Sequence, residues 1–268
     1  MVLCFSGYCY FLYKLNISQM QRNIFIEHPN PSFLETSRID NWWVGPLLTA
    51  IGLLAFIFYS TWAAFQNEHY QWSPYLSPFY APLLEFEWWP LSPAFLILWA
   101  PAGFRLTCYY YRKAYYRSYF LTPSACAVGA RPQKYRGERY LLVFQNLHRY
   151  FLYIALIFCV ILSYDAIVSF SFENGLGVGV GSIIMTLNAV FLTAFTLGCN
   201  SLRHLVGGNI DCYSCASFGH QRYQAWKFVS LFNVHHNFWA WISLFWVGFT
   251  DLYIRLVSIN IITDYRIF

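Results

Sequence analysis

Five long apolar runs, at residues 43–65, 91–109, 150–170, 181–202 and 238–262, decide what this chain can become. Each approaches or exceeds the ~20 residues that a helix needs to cross a hydrocarbon layer of ~30 Å. In lipid every backbone polar group must find its partner inside the protein, which leaves helices and closed barrels. Barrel strands alternate apolar and polar residues, and these runs do not. Only 11% of the residues are charged, against about 25% in a soluble domain. The expected fold is an all-α integral membrane bundle of five transmembrane helices spanning residues 38–268, preceded by an N-terminal tail at 1–37. The apolar start of that tail is too short to span, and it lacks the basic start and cleavage site of a signal peptide.

Orientation follows the basic residues. The connector at 112–149 holds Arg112, Lys113, Arg117, Arg131, Lys134, Arg136, Arg139 and Arg149, and the one after the fourth run holds Arg203, Arg222 and Lys227. The opposite side carries Glu68, Glu85, Glu87 and Glu173 with almost no cations. The positive-inside rule therefore puts the N-terminus and both basic connectors in the cytoplasm and the C-terminus outside. The formal charge of +5 is a topology signal rather than a nucleic-acid footprint. Trp42-Trp43, Trp88-Trp89 and Tyr109-Tyr110-Tyr111 fall where interfacial aromatic belts belong. The loop at 66–90, rich in Pro, Tyr and Trp, is expected to pack on the outer membrane surface. The glycine run at 175–181 follows a membrane segment rather than a strand, so it is no dinucleotide loop.

The candidate metal ligands gather at the cytoplasmic ends of the runs. Cys108 closes the second, His148 opens the third, Cys199 and His204 close the fourth, and His235-His236 open the fifth. Neighbouring helical residues point about 100° apart, so one of that pair faces inward, and His236 is the nearer to the membrane run. Imidazole and thiol donors at one depth suit a haem or an iron–sulfur centre. The plainer alternative is interfacial packing. Cys212-Tyr-Ser-Cys215 is a C-x-x-C pair open to zinc, a cluster, a thiol switch or no role at all. Asp165, Asp251 and Arg255 are charges in the outer half, read either as a structural ion pair or as a proton relay. No Ser–His–Asp set, carboxylate pair or phosphate loop is present, which argues against hydrolysis.

Several segments resemble the membrane-anchor (cytochrome b-like) subunit of succinate dehydrogenase/fumarate reductase, in the branch of mycobacterial succinate dehydrogenase 1. They are Arg-Ile-Asp-Asn-Trp-Trp-Val at 38–44, Tyr-Ser-Thr-Trp at 59–62, Tyr-Leu-Ser-Pro-Phe-Tyr at 75–80, Phe-Arg-Leu-Thr-Cys-Tyr-Tyr-Tyr-Arg-Lys-Ala-Tyr-Tyr-Arg at 104–117, Gln-Asn-Leu-His-Arg-Tyr-Phe at 145–151 and Thr-Asp-Leu-Tyr at 250–253. The resemblance implies a subunit of a succinate:quinone oxidoreductase in the bacterial cytoplasmic membrane. Its partners would be a flavoprotein subunit and an iron–sulfur subunit, in an assembly compatible with a higher oligomer. It further implies a Rieske-type two-iron two-sulfur cluster, with one haem b as the alternative, and a quinone (menaquinone or ubiquinone). Candidate metal ligands are then His148, His204, His236, Cys108, Cys199 and Cys126. Candidate quinone contacts are Arg105, Tyr109, Arg112, Trp43 and Ser60. The outer half offers only His69, which disfavours two haems. One departure stands out: where the branch is expected to read C-x-x-C-x-H, this chain has Cys199-Asn-Ser-Leu202-Arg-His204, and Cys108, Cys126 or the Cys212/Cys215 pair is left to supply the second thiol.

Overall fold

The computed structural model describes residues 32–130, 141–173 and 175–267. Arg131, Lys134, Arg136 and Arg139 of the basic connector, and residues 1–31 of the tail, lie outside the described residues. Helix α1 (Val44–Gln66) leads into a short antiparallel hairpin, β1 (Gln71–Trp72) with β2 (Tyr75–Leu76), in which Trp72 faces Tyr75. Then come α2 (Ala94–Thr107), α3 (Tyr109–Tyr119) and α4 (Leu141–Val168). A second hairpin, β3 (Ser171–Phe172) with β4 (Gly175–Leu176), turns the chain into α5 (Val180–Leu197). Helix α6 (Asn200–Arg203), a π-turn (His204–Gly208) and a 3-10 turn (Tyr213–Cys215) follow, then α7 (Gly219–Val234) and α8 (His236–Ser258).

Among the described residues four segments are long and apolar enough to cross a membrane: α1, α4 from Asn146 onward, α5 and α8. The second run departs from expectation. Helix α2 has 14 residues, about 21 Å at the helical rise, short of a ~30 Å layer by itself. The chain leaves it through extended backbone at Cys108 (φ −63°, ψ 127°) and resumes as α3. The fourth run was expected to continue to 202 but ends at Leu197, with Cys199 extended (ψ 131°) before α6 begins. Helix α7 was not anticipated.

The helices pack as neighbours do in lipid. Helix α5 lies against α4 and α8, α2 against α4, and α1 against α3 and α8. Small residues such as Ala63, Ala64, Ala94, Ala100 and Ala240 are buried at these contacts and let the backbones approach. Large apolar side chains point outward at helical spacing, Leu48, Ile51 and Phe58 on α1 and Ile157, Val160 and Tyr164 on α4. Such faces require a hydrocarbon environment, and the chain is an integral membrane protein.

The loop at 66–90 divides into a buried part and an exposed part that holds Phe86 and Trp88. Tyr75, Ser77 and Tyr80 are fully buried, plugging the end of the bundle. Tyr80 donates to the Ala63 carbonyl (3.0 Å) and stacks on Tyr70, and Tyr75 donates to Asp264 (2.6 Å). The glycine run serves this plug, because a Cβ at Gly181 would come within 2.4 Å of the Tyr75 ring.

Candidate functional site

Two breaks in helices build the site. Cys108 and Cys199 each sit in extended backbone at the N-terminus of a short helix, α3 and α6. Each cysteine is thus the N-cap of its helix, next to that helix's first free N–H groups. Unsatisfied N–H groups at a helix start favour an anionic partner. Both thiols are almost sealed, 4% exposed at Cys108 and 2% at Cys199.

Two imidazoles meet them. His148 on α4 places Nε2 3.1 Å from the Cys199 sulfur, and His236, the first residue of α8, places Nε2 3.9 Å from the Cys108 sulfur. The four donors come from four segments that alternation of the crossings brings to one end. Cys108 and Cys199 belong to one buried core cluster. Phe104 stacks on His148 (4.7 Å between centroids) and Phe195 on His236 (5.1 Å), which fixes both ring planes. Gly198 makes room for His236, since a Cβ there would lie 3.1 Å from its Nδ1.

The His148 tautomer follows from its neighbours. The Thr107 hydroxyl donates to the Gly103 carbonyl (2.7 Å), so its oxygen is left to accept from His148 Nδ1 (3.1 Å). The Phe104 carbonyl also bonds the ring. With Nδ1 protonated, the lone pair on Nε2 points at Cys199, the state a metal-binding histidine needs. Thr107 was not singled out in the sequence, though its place next to Cys108 in the basic–tyrosine motif is the signal that would have found it.

Of the six candidate ligands, the structure unites Cys108, Cys199, His148 and His236 and leaves out two. His204 is exposed, because the break that turns Cys199 inward carries the next turn of chain outward. Cys126 is exposed in a loop whose carbonyls are held by Arg38 (Cys126 O, 2.9 Å) and Thr36 (Ala127 O, 2.7 Å). Leu202 is a buried apolar residue of the same core as Cys108 and Cys199. Cys212 and Cys215 form a disulfide elsewhere. Among the described residues no three His, Cys, Asp or Glu side chains stand close enough to hold a single metal ion. The donors stand as two Cys–His pairs, Cys199 with His148 and Cys108 with His236. A Rieske-type cluster has like pairs, Cys₂ and His₂, whereas the shortest contacts here are mixed.

Beside the donors lies an apolar cavity. A recess of about 150 Å³ between α1, α2, α4 and α5 adjoins a groove of about 650 Å³ open along α1 and α2. Ser60 and Arg105 line both. The Arg105 guanidinium bonds the Tyr111 hydroxyl, Ser243 Oγ (3.1 Å) and the Ala240 carbonyl (3.3 Å), and lies 4.8 Å over the Phe195 ring. Phe195 is thus sandwiched between Arg105 and His236. The remaining quinone candidates stand apart from this cavity. Arg112 is buried beside Cys108 and His148, over the rings of Tyr109 and Phe144. Tyr109 is 66% exposed. Trp43 caps the far end of α1, 17 residues from Ser60, or about 25 Å along the helix.

The outer charges form a closed network. Asp251, fully buried, pairs with Arg255 (2.8 Å) and accepts from Tyr59 (2.6 Å) and Ser77. Arg255 also donates to the carbonyls of Glu68 (2.7 Å) and Ala63 (2.9 Å). Asp165 is half-buried, and its Oδ2 has no hydrogen-bond partner among the described residues.

No curated protein sequence matches the chain. Among solved structures, a chain of the Mycobacterium smegmatis Sdh1 complex in the apo form is similar, with 41% identity and a TM-score of 0.77 over 87% of this chain and 94% of that one. The family model of actinobacterial succinate dehydrogenase subunit SdhC matches residues 44–260. That match spans most of the chain and all the donors above, and the chain belongs to the actinobacterial SdhC family of succinate dehydrogenase membrane subunits.

Proposed function

We propose that this subunit carries electrons from an iron–sulfur partner subunit to a quinone in the membrane, through a relay held by Cys108, Cys199, His148 and His236. The carrying observation is the convergence of four largely buried donors, Cys108 and His236 being 128 residues apart, beside an arginine that also lines a lipid-facing cavity. Succinate oxidation belongs to a flavoprotein partner, as expected of this family. The Lys and Arg bias supports a cytoplasmic N-terminus and a donor set at the cytoplasmic face of the bacterial membrane. The second run at 91–109, which contains α2, is read as a fifth crossing with the basic α3 at its cytoplasmic end, and the C-terminus as external.

The family resemblance is the ground for reading a two-iron two-sulfur cluster of Rieske type here, which would supply a one-electron relay when bound. A haem with two axial histidines has no use for thiols, and here each imidazole has a thiol as its nearest donor. The guanidinium groups of Arg105 and Arg112 flank the set and offset negative charge there. At the cavity, Arg105 orients a quinone carbonyl and stabilises charge arriving on its oxygen. Tyr111, Ser243 and the Ala240 carbonyl hold that guanidinium in place, and Ser60 offers a hydroxyl to the cavity. Tyr109, exposed on α3 under Arg112, suits contact with the iron–sulfur partner. A transporter would need polar groups through the full depth, and Asp251 and Arg255 are instead tied to each other and to the plug.

Low-temperature EPR and reduced-minus-oxidised visible spectra of the purified complex test the reading. A Rieske-like signal beyond the partner's own clusters, without b-type bands, is expected. Sharp b-type bands favour haem, and neither signal sinks the relay. Arg105→Leu is expected to keep the signal but lower quinone kcat/KM about 10- to 100-fold, the weight of one charged hydrogen bond. Thr107→Val removes the acceptor that orients His148. Iron retention against a chelator is expected to fall about 10- to 100-fold, the usual cost of losing an outer-shell partner of a ligand.

A further inference from the structure

The disulfide between Cys212 and Cys215 takes no part in the site above. Both residues are exposed, and they bracket the turn Tyr213–Cys215 between the π-turn and α7. We propose that this pair is a thiol–disulfide exchange site for small-molecule thiols, and that Tyr213 transmits its state to the turn of chain that begins at Cys199.

A disulfide that closes so short a loop removes little chain entropy, so it is a poor staple. What it does hold is Tyr213. The Tyr213 hydroxyl donates to the Gly207 carbonyl (2.8 Å), and its ring meets Tyr223 of α7 (5.3 Å). Its backbone is pressed on Gly219 so closely that a Cβ there would fall 1.7 Å from the Tyr213 oxygen. The neighbouring carbonyls of the π-turn, Val206 and Leu205, accept from Arg222 of α7 at 3.2 and 3.4 Å. Helix ends leave such carbonyls without partners, so Tyr213 and Arg222 together close the end of the segment that Cys199 starts. Only α6 separates the π-turn from Cys199.

The exchange balances as follows. A small-molecule thiolate attacks the Cys215 sulfur, the S–S bond breaks, and Cys212 leaves as a thiolate. Ser214 Oγ, 3.3 Å from the Cys212 sulfur, donates a hydrogen bond to it, and a stabilised leaving thiolate departs faster. A second thiol resolves the mixed disulfide. In sum, two thiols are oxidised to one small-molecule disulfide, and Cys212 and Cys215 gain two electrons and two protons. A small-molecule disulfide drives the reverse.

The intact purified complex is treated with dithiothreitol and alkylated, and the peptide carrying both cysteines is read by mass spectrometry, with amide exchange followed over residues 205–210. Before reduction neither cysteine is expected to be alkylated, and after it both. Amide exchange is expected to accelerate about fivefold on reduction, the weight of one neutral hydrogen bond. Tyr213→Phe, which keeps the disulfide, should show the faster exchange in both states. Alkylation without reductant, a disulfide that dithiothreitol leaves intact in the folded complex, or exchange that does not respond to reduction would each overturn the proposal.

Discussion

Cys199→Ser is expected to abolish the membrane-side iron–sulfur signal and quinone reduction, while succinate oxidation with an artificial acceptor at the partner subunits continues. Serine is nearly isosteric and is itself a favoured N-cap residue, so the break before α6 survives. What is lost is the soft thiolate, the donor iron–sulfur centres take. EPR and the two assays run side by side separate loss of the relay from loss of assembly. Cys126→Ser and His204→Ala act as controls expected to change neither readout, because both residues lie on the exposed surface. A signal that persists in Cys199→Ser would remove Cys199 from the relay.

Asp251→Ala is expected to cost about 3–5 kcal/mol, because removing one partner of a buried ion pair strands the other charge. Arg255 would keep its two carbonyls but lose its only anion, and Tyr59 and Ser77 would lose their acceptor. The midpoint of thermal unfolding of the detergent-solubilised complex reads this. The pair replacement Asp251→Leu with Arg255→Met is expected to recover most of the loss, as apolar pairs of similar volume often do. Quinone reduction per folded complex should stay unchanged in both variants. A fall in that specific activity would instead return Asp251 to proton delivery.

What could be read ahead of the structure follows from which physical signals are local. The apolar runs were legible because each carries its own length and hydropathy, and α1, α4, α5 and α8 lie where they pointed. The donor set was legible because helix ends at one depth must meet if the crossings alternate. The two breaks were not, since Cys108 and Cys199 look like the continuation of an apolar helix until a partner fixes them. That is why His204 seemed as good a ligand as His236. It also hid that Leu202 is a core residue packed in the same cluster as Cys108 and Cys199. The plug formed by Tyr75, Ser77 and Tyr80 was equally hidden, because the acceptors of the first and last, Asp264 and Ala63, are remote in the chain. Aromatic composition alone pointed those residues to the membrane surface.

The depth of Cys108 and Cys199 within the bundle carries a consequence for biogenesis. With Cys108 4% and Cys199 2% exposed, and Phe104 and Phe195 stacked on the imidazoles, the finished shell leaves little room for a metal cluster to enter. Whatever these four donors hold must arrive while α3 and α6 are still apart from α8. Loading is then a step in the maturation of the subunit rather than an exchange with the pool around it, and a chain that closes empty would stay empty.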